Sequence, residues 1–328
     1  MNGEIFAFIV YFVAIVGVGI YFFFKEKGDA TQANFFLGGR QMGPWVAAMS
    51  AQASDMSAWL LMGLPGSILA FGFGQMWIGI GLALGTAANW IFVAKRLRKF
   101  SSAAGDAITV PQYLGNRFLS KSNALQVICA IIFFVCFTIY VASAYVAGAS
   151  VFTAIFPSLS SHAAMIIFAL AMLLITFFGG FKAVCWTDFF QGMLVLGSMF
   201  IAPIFAAFML DTSSMSSLPG GYLNPFSSWQ DIVSGLAWGL GYFGMPHIII
   251  RFMSIKSQKD LKKSAKIGIT WTLLIVFFAT LIGVIGRLFL GFDESINENS
   301  LVFIQIVRKI FPGVISGILL SAVLAASM

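Results

Sequence analysis

Apolar runs of about 20 residues, the length needed to cross a hydrocarbon layer of about 30 Å, recur along the whole chain with short polar stretches between them. We place nine helical segments near residues 4–24, 43–70, 75–94, 124–153, 163–181, 187–210, 229–250, 268–287 and 313–328. Ten-residue stretches of strict alternation, the mark of a membrane β-barrel, do not occur, so the pattern predicts an all-α integral membrane protein. The ninth segment ends in SAVLAASM without a polar flank, and the expectation is a fragment of a longer protein.

Composition supports this class. Of 328 residues, 59% are hydrophobic and only 9% charged, against about 25% charged in soluble domains. The first segment follows MNGE, with no lysine or arginine, and no small-residue cleavage site comes after it. It therefore reads as a retained helix rather than a signal peptide. Cys129, Cys136 and Cys185 lie in or beside apolar segments without metal-ligand spacing and read as packing residues.

The net charge of +7 could point to nucleic acid, but its distribution points elsewhere. If loops alternate sides, Lys25, Lys27, Arg40, Lys95, Arg96, Arg98, Lys99, Arg117, Lys121, Lys182, Arg251, Lys256, Lys259, Lys262, Lys263 and Lys266 share one side, leaving Arg287, Arg308 and Lys309 on the other. That is 16 of 19, the positive-inside bias, which places the amino terminus outside and makes a lipid bilayer the partner rather than nucleic acid. The basic loop Lys95–Ser122 is long enough for a short interfacial helix, and a solvated loop is the alternative. The outer loop Asp211–Trp229 is rich in turn formers.

One segment breaks the apolar pattern: SAQASDMSAWLLMGLPG, Ser50 to Gly66. An ionisable residue near the bilayer centre costs about 2.5–3.5 kcal/mol on insertion scales, which makes Asp55 a functional-site candidate, with a structural helix-capping aspartate as the alternative. Ser54, Ser57 and Gly63 weaken the helix, and Pro65 removes a backbone donor and restricts Leu64. Discontinuous membrane helices are where transporters place ion and substrate sites, so the reading is a broken helix with freed carbonyls.

FFLGGRQMGPW, SAQASDMSAWLLMGLPG, FTIYVASAYVAGA, FFGGFKAVCWTD and GLAWGLGYFGMPHIIIRFM resemble the sodium:solute symporter family, in particular its proline transporters, from about Ile5 to the last residue. The resemblance implies a LeuT-type inverted-repeat fold with one extra N-terminal helix. The chain would be a single transporter domain, 1–328, with a first repeat near 43–210 and a partial second repeat near 229–328, cut within the eighth core helix. It implies sodium-coupled uptake of L-proline by alternating access in a bacterial inner membrane, with sodium as coupling ion, no cofactor and no enzymatic chemistry.

By the same resemblance, carbonyls of Ala53, Met56 and Ala326 would hold sodium, with two hydroxyl ligands expected just after Met328 and Asp55 needed for coupling. Ser57, Trp59, Gly63, Tyr140, Trp238, Tyr242 and Pro246 match positions that line the proline pocket, where aromatic faces would meet the ring and its ammonium. Arg40 and Asp188 match polar positions linked to coupling and inner gating, with snorkelling and helix-terminus charge placement as the ordinary alternatives. Met245 stands where glutamine is expected in the proline transporters, and His247 reads as a core histidine. The alternatives are another solute such as pantothenate or a different amino acid, the sensory domain of a histidine kinase, and an inactive fragment.

Overall fold

A computed structural model of the chain describes residues 3–26, 31–210, 218–291 and 300–328. Lys27 and residues 211–217 of the expected outer loop lie outside them. Helix α1, Gly3–Glu26, is apolar between Glu4 and Lys25 and long enough to span a bilayer. A short helix α2, Gln32–Leu37, is capped by the Thr31 hydroxyl and leads into a tight turn over Gly38–Arg40. The second expected segment is two helices, α3, Pro44–Asp55, and α4, Trp59–Phe71.

Helix α5, Met76–Ala88, runs through a π-helical turn at Asn89–Ala94 into α6, Lys95–Ala103. With α7, Val110–Arg117, the basic loop is thus largely helical. Helix α8, Ala124–Ile155, follows.

The fifth and sixth expected segments follow one another without a loop as the two arms of α9, Ser161–Phe208, together far too long for a single crossing. Gly180, at φ 59° and ψ −167°, reverses it. Only glycine enters that backbone region without strain, and side chains on both sides report the turn. Phe168 meets Phe152, which meets Phe8; Gly19 faces Ile175; Trp186 stacks near Phe22; Gln191 bonds Tyr11; Phe205 meets Phe311. The chain therefore travels along α1 and back, and α9 is a helical hairpin of two crossings.

The seventh segment is also broken: α10, Trp229–Ala237, a 3₁₀ stretch Trp238–Gly244, and α11, Pro246–Ser254, with a bend of 49°. Helix α12, Gln258–Leu290, starts about ten residues before the expected boundary. Helices α13, Val302–Ile310, and α14, Gly313–Ser327, complete the chain; α2 and α13 were not anticipated. The only sheet-like pairing among the described residues is one bridge, Met42 with Ile255.

Packing follows membrane rules, where small residues let backbones approach. Gly81 and Gly85 of α5 face Gly235 and Gly239, and an added Cβ at Gly85 would sit 2.3 Å from the Gly239 carbonyl oxygen. This four-residue glycine spacing on both helices clamps the unwound stretch onto α5. Among the cysteines, Cys185 is buried as expected, but Cys136 is exposed on α8.

Candidate ion and substrate site

The first break has a clear local cause. Met56 leaves the helical region at φ −90°, ψ 64°; the Ser57 amide turns to the Asp55 carbonyl at 3.0 Å, and the Leu60 amide bonds the Ser57 carbonyl at 2.9 Å. The carbonyls of Ala53 and Met56 thereby lose the amides four residues ahead that would have held them. The Ser57 hydroxyl accepts from the Trp59 amide at 3.3 Å and helps restart the helix. Small hydroxyl-bearing residues thus set the break. Pro65 does not: α4 continues through it, because Leu60, Leu61, Leu64 and Ile68 are fully buried and packing holds the helix despite the lost donor.

Asp55 ends α3 beside this opening. Its Oδ2 is buried without a hydrogen-bond partner among the described residues, and the Tyr242 hydroxyl faces its carboxylate. An orphaned carboxylate oxygen next to freed carbonyls is the hard-oxygen donor set that an alkali cation takes.

A cavity of about 420 Å³ opens at the break. Ala53, Ser57, Tyr140 and Ala326 line it, so two of the three expected sodium carbonyl residues and two of the expected substrate residues share one space. Met56 is buried beside it. The Tyr140 hydroxyl donates to the Ser54 carbonyl at 3.1 Å, tying α8 to the end of α3. Pro246 lines an adjoining cavity of about 310 Å³ with Tyr140, Met245 and His247.

The other expected substrate residues gather on α4 and the unwound stretch. The Trp59 and Trp238 rings stack at 5.0 Å and 22°, and the Trp59 indole covers Gly63, where a Cβ would lie 2.3 Å from it. Tyr242 is buried; its carbonyl accepts from Asn89 Nδ2 at 2.8 Å, which fixes the unwound stretch to the π-helical turn. The seven positions therefore form two neighbouring groups, one at the cavity and one at the indole stack, with Tyr242 facing Asp55.

Asp188 is not a simple helix-terminus charge. Its Oδ2 accepts from Ser50 Oγ at 2.6 Å, Ser54 Oγ at 3.0 Å and Arg251 Nη2 at 2.9 Å. Arg251 Nε also donates to Ser50 Oγ at 2.8 Å, and its Nη1 to the His247 carbonyl. The pair is buried, at 7% and 8% side-chain exposure, and joins α3, the second arm of α9 and α11. Arg251, counted as a loop charge from the sequence, belongs instead to this buried network; an arginine inside the apolar run IIIRFM was the signal. Ser50 and Asn89 carried no comparable signal, being small or neutral polar residues whose partners are distant in sequence.

Arg40 lies away from the cavity. It adopts φ 53° and is held by Asp106 at 2.8 Å, Ser101 Oγ at 3.2 Å and the carbonyls of Met253 and Ala107, both at 2.8 Å. Four contacts from three segments over-determine a backbone conformation that a non-glycine residue rarely adopts. His247 rests against Phe137 and Tyr140, and both its ring nitrogens are buried without a partner among the described residues.

The sequence model of the sodium:solute symporter family matches residues 35–328. Sodium/proline symporters of Staphylococcus aureus strains USA300 / TCH1516 and JH9 are 41% identical over 326 residues, covering 97% of this chain and 63% of their own length. The chain thus spans less than two thirds of these relatives. A Na⁺-coupled sialic acid symporter, solved in its substrate-bound outward-open state, superposes with a TM-score of 0.83 at 18% identity, covering all of this chain and 71% of that one. The fold is accordingly of the LeuT-like symporter type, and the match from Phe35 onward takes in both broken helices, the cavity between them and the buried charge pair. This chain belongs to the sodium:solute symporter family.

Proposed function

We propose that this chain acts in a secondary active symporter that couples inward sodium movement to the uptake of L-proline. The observation that carries the reading is the broken helix α3–α4, whose Asp55 oxygen is orphaned beside a cavity lined by Ala53, Ser57, Tyr140 and Ala326. The name of the 41% identical relatives supports proline as solute and sodium as coupling ion. The single transporter domain, the two repeats near 43–210 and 229–328, the bacterial inner membrane and the outward amino terminus belong to the same proposal.

Sodium would take the Ala53, Met56 and Ala326 carbonyls, with Asp55 supplying the negative charge that attracts it into a low-dielectric site. Proline would bring a carboxylate, a secondary ammonium and an apolar ring. The Ser57 hydroxyl suits the carboxylate; Tyr140, Tyr242 and the Trp59–Trp238 stack suit the ring and the ammonium. Ion binding that organises the break raises solute affinity, and linkage then requires the solute to raise sodium affinity by the same factor. Arg40 and the Asp188–Arg251 pair hold segments at the basic end of the bundle and would form the inner gate. The steps are binding and conformational exchange, with no covalent chemistry.

A specific residue favours a second solute. Met245 lines the adjoining cavity where the proline transporters are expected to carry glutamine, removing a donor and an acceptor. The test is uptake of labelled L-proline into proteoliposomes under an inward sodium gradient, using this chain extended with the remaining third of a Staphylococcus aureus relative. Uptake that depends on sodium and is lost in Asp55→Asn supports the reading. A folded protein that ignores proline, but takes up another small solute in a sodium-dependent way, overturns the substrate assignment and not the mechanism.

A further inference from the structure

The amino-terminal turns of α12 carry Lys259, Lys262, Lys263 and Lys266, all exposed. Their spacing of three, four and seven residues stacks them on one face. None forms an ion pair among the described residues; the one carboxylate nearby, Asp260, is turned aside and accepts from Ser257 Oγ at 2.7 Å. Along the same face the stripe changes abruptly at Thr270 into Leu273, Leu274 and Phe277, all exposed apolar side chains. Four unpaired cations therefore sit directly above a surface made for hydrocarbon.

Beside this stripe runs an apolar groove of about 410 Å³ whose walls include Trp45, Met193, Leu196, Trp271 and Leu274, with Lys266 at one end. Its mouth is fixed by Ser264 Oγ, which donates to the Pro44 carbonyl at 3.1 Å and holds the start of α3 against the lysine turns. Trp45, 52% exposed, is thereby placed at the same level, where amphipathic rings sit at the headgroup boundary. The seven helical steps from Lys259 to Lys266 rise about 10 Å along the axis, on the order of one headgroup layer. A cationic rim over an apolar trough complements one kind of molecule: an anionic head joined to an acyl chain.

We propose that this groove is a binding site for an anionic phospholipid, with one acyl chain along Trp45, Leu196 and Leu274 and the phosphate among the four lysines. The site is remote from the cavity at the α3–α4 break and does not depend on which solute is carried. It anchors the α3–α12 contact, so an anionic lipid steadies the helix whose end forms the ion site.

The test uses fluorescence quenching by bromine-labelled acyl chains in bilayers of equal parts phosphatidylglycerol and phosphatidylcholine. Eight tryptophans are present, so the Trp45 signal is taken as the difference between the unmodified protein and Trp45→Phe. Brominated phosphatidylglycerol should quench that signal more than brominated phosphatidylcholine does in the reciprocal mixture. The expected exchange preference is about fivefold, the equivalent of one lysine near a charged surface. Lys259→Gln/Lys262→Gln/Lys263→Gln/Lys266→Gln should abolish it, while Lys95→Gln/Lys99→Gln on α6 should leave it intact. Equal quenching in the two mixtures overturns the proposal on the unmodified protein alone, whether or not the fourfold variant folds. A preference that survives the fourfold change, or that falls as far with the α6 change, also overturns it, because general surface charge would then be the cause.

Discussion

Asp188 and Arg251 offer the sharpest energetic test, because both charges are buried and each is the other's only opposite charge in the contacts described. At 2.9 Å and an effective dielectric near 20, their attraction is about 6 kcal/mol, set against several kcal/mol per ion of lost hydration. The net value of the pair is therefore small, whereas the cost of breaking it is not. Asp188→Asn leaves the guanidinium uncompensated among Ser50 and the His247 carbonyl, and Arg251→Met leaves the carboxylate with only the Ser50 and Ser54 hydroxyls. Each single change should cost about 3–5 kcal/mol. The double change removes both charges together, and its cost should be about 2–3 kcal/mol, mostly the lost hydrogen bonds to charged groups. The cycle should then show a coupling energy of about 5.5 kcal/mol in magnitude. Reversible unfolding in mixed micelles of rising dodecyl sulfate content, followed by circular dichroism, measures all four proteins. Additivity of the two single changes within about 0.5 kcal/mol would refute the reasoning, since contacting buried charges cannot be independent.

Three further outcomes follow from other parts of the bundle. Gly85→Ala drives a methyl against the Gly239 backbone and should cost about 1–3 kcal/mol in the same unfolding assay, with Gly197→Ala, which meets nothing within 4 Å, as the neutral comparison. A double-mutant cycle of Trp59→Ala and Trp238→Ala should give about 0.5–1.5 kcal/mol of coupling for the stacked rings, and, under the proposed function, each single variant of the extended protein should bind proline more weakly. Tyr222, in the loop before α10, donates its hydroxyl to the Ile68 carbonyl at 2.7 Å, and burial pushes its pKa up from 10.0 to about 12, partly countered by Arg287. The folded state thus holds this proton more tightly than the unfolded state, so the contribution is complete below pH 10.0 and is lost as pH rises toward about 12; Tyr222→Phe should remove that alkaline sensitivity from the unfolding midpoint.

The crossings were legible in the sequence because the bilayer imposes one length on every apolar run, and each of the nine expected segments falls on a helix, a helix arm or a broken pair among the described residues. The turn at Gly180 was legible too, since it falls at the end of the expected segment 163–181, just before the segment 187–210. Two features were not. Helix α13 is amphipathic and only nine residues long, below the length that a spanning pattern detects. The partner of Arg251 was the other: the arginine inside IIIRFM signals a buried charge, but only the fold brings Asp188, 63 residues earlier, to meet it. Pro65 shows the opposite error, a strong local signal overridden by the buried leucines around it.

The two broken helices reach the same end by different local chemistry. In α3–α4 the break comes from hydroxyl and small residues that redirect amides at Ser57 and Leu60, and it frees the Ala53 and Met56 carbonyls beside the buried, partly unpaired Asp55 carboxylate. In α10–α11 the sequence WGLGYFGMP winds into a 3₁₀ stretch, is stopped by Pro246, and offers aromatic rings instead of oxygens. One break is thus an acceptor surface suited to cations, the other an aromatic surface suited to an organic ring, and Tyr242 facing Asp55 joins the two. Under the proposed function, an ion drawn to the first surface would act on Asp55, and the facing Tyr242 would carry that effect to the second, while the buried Asp188–Arg251 pair ties α3 to α11.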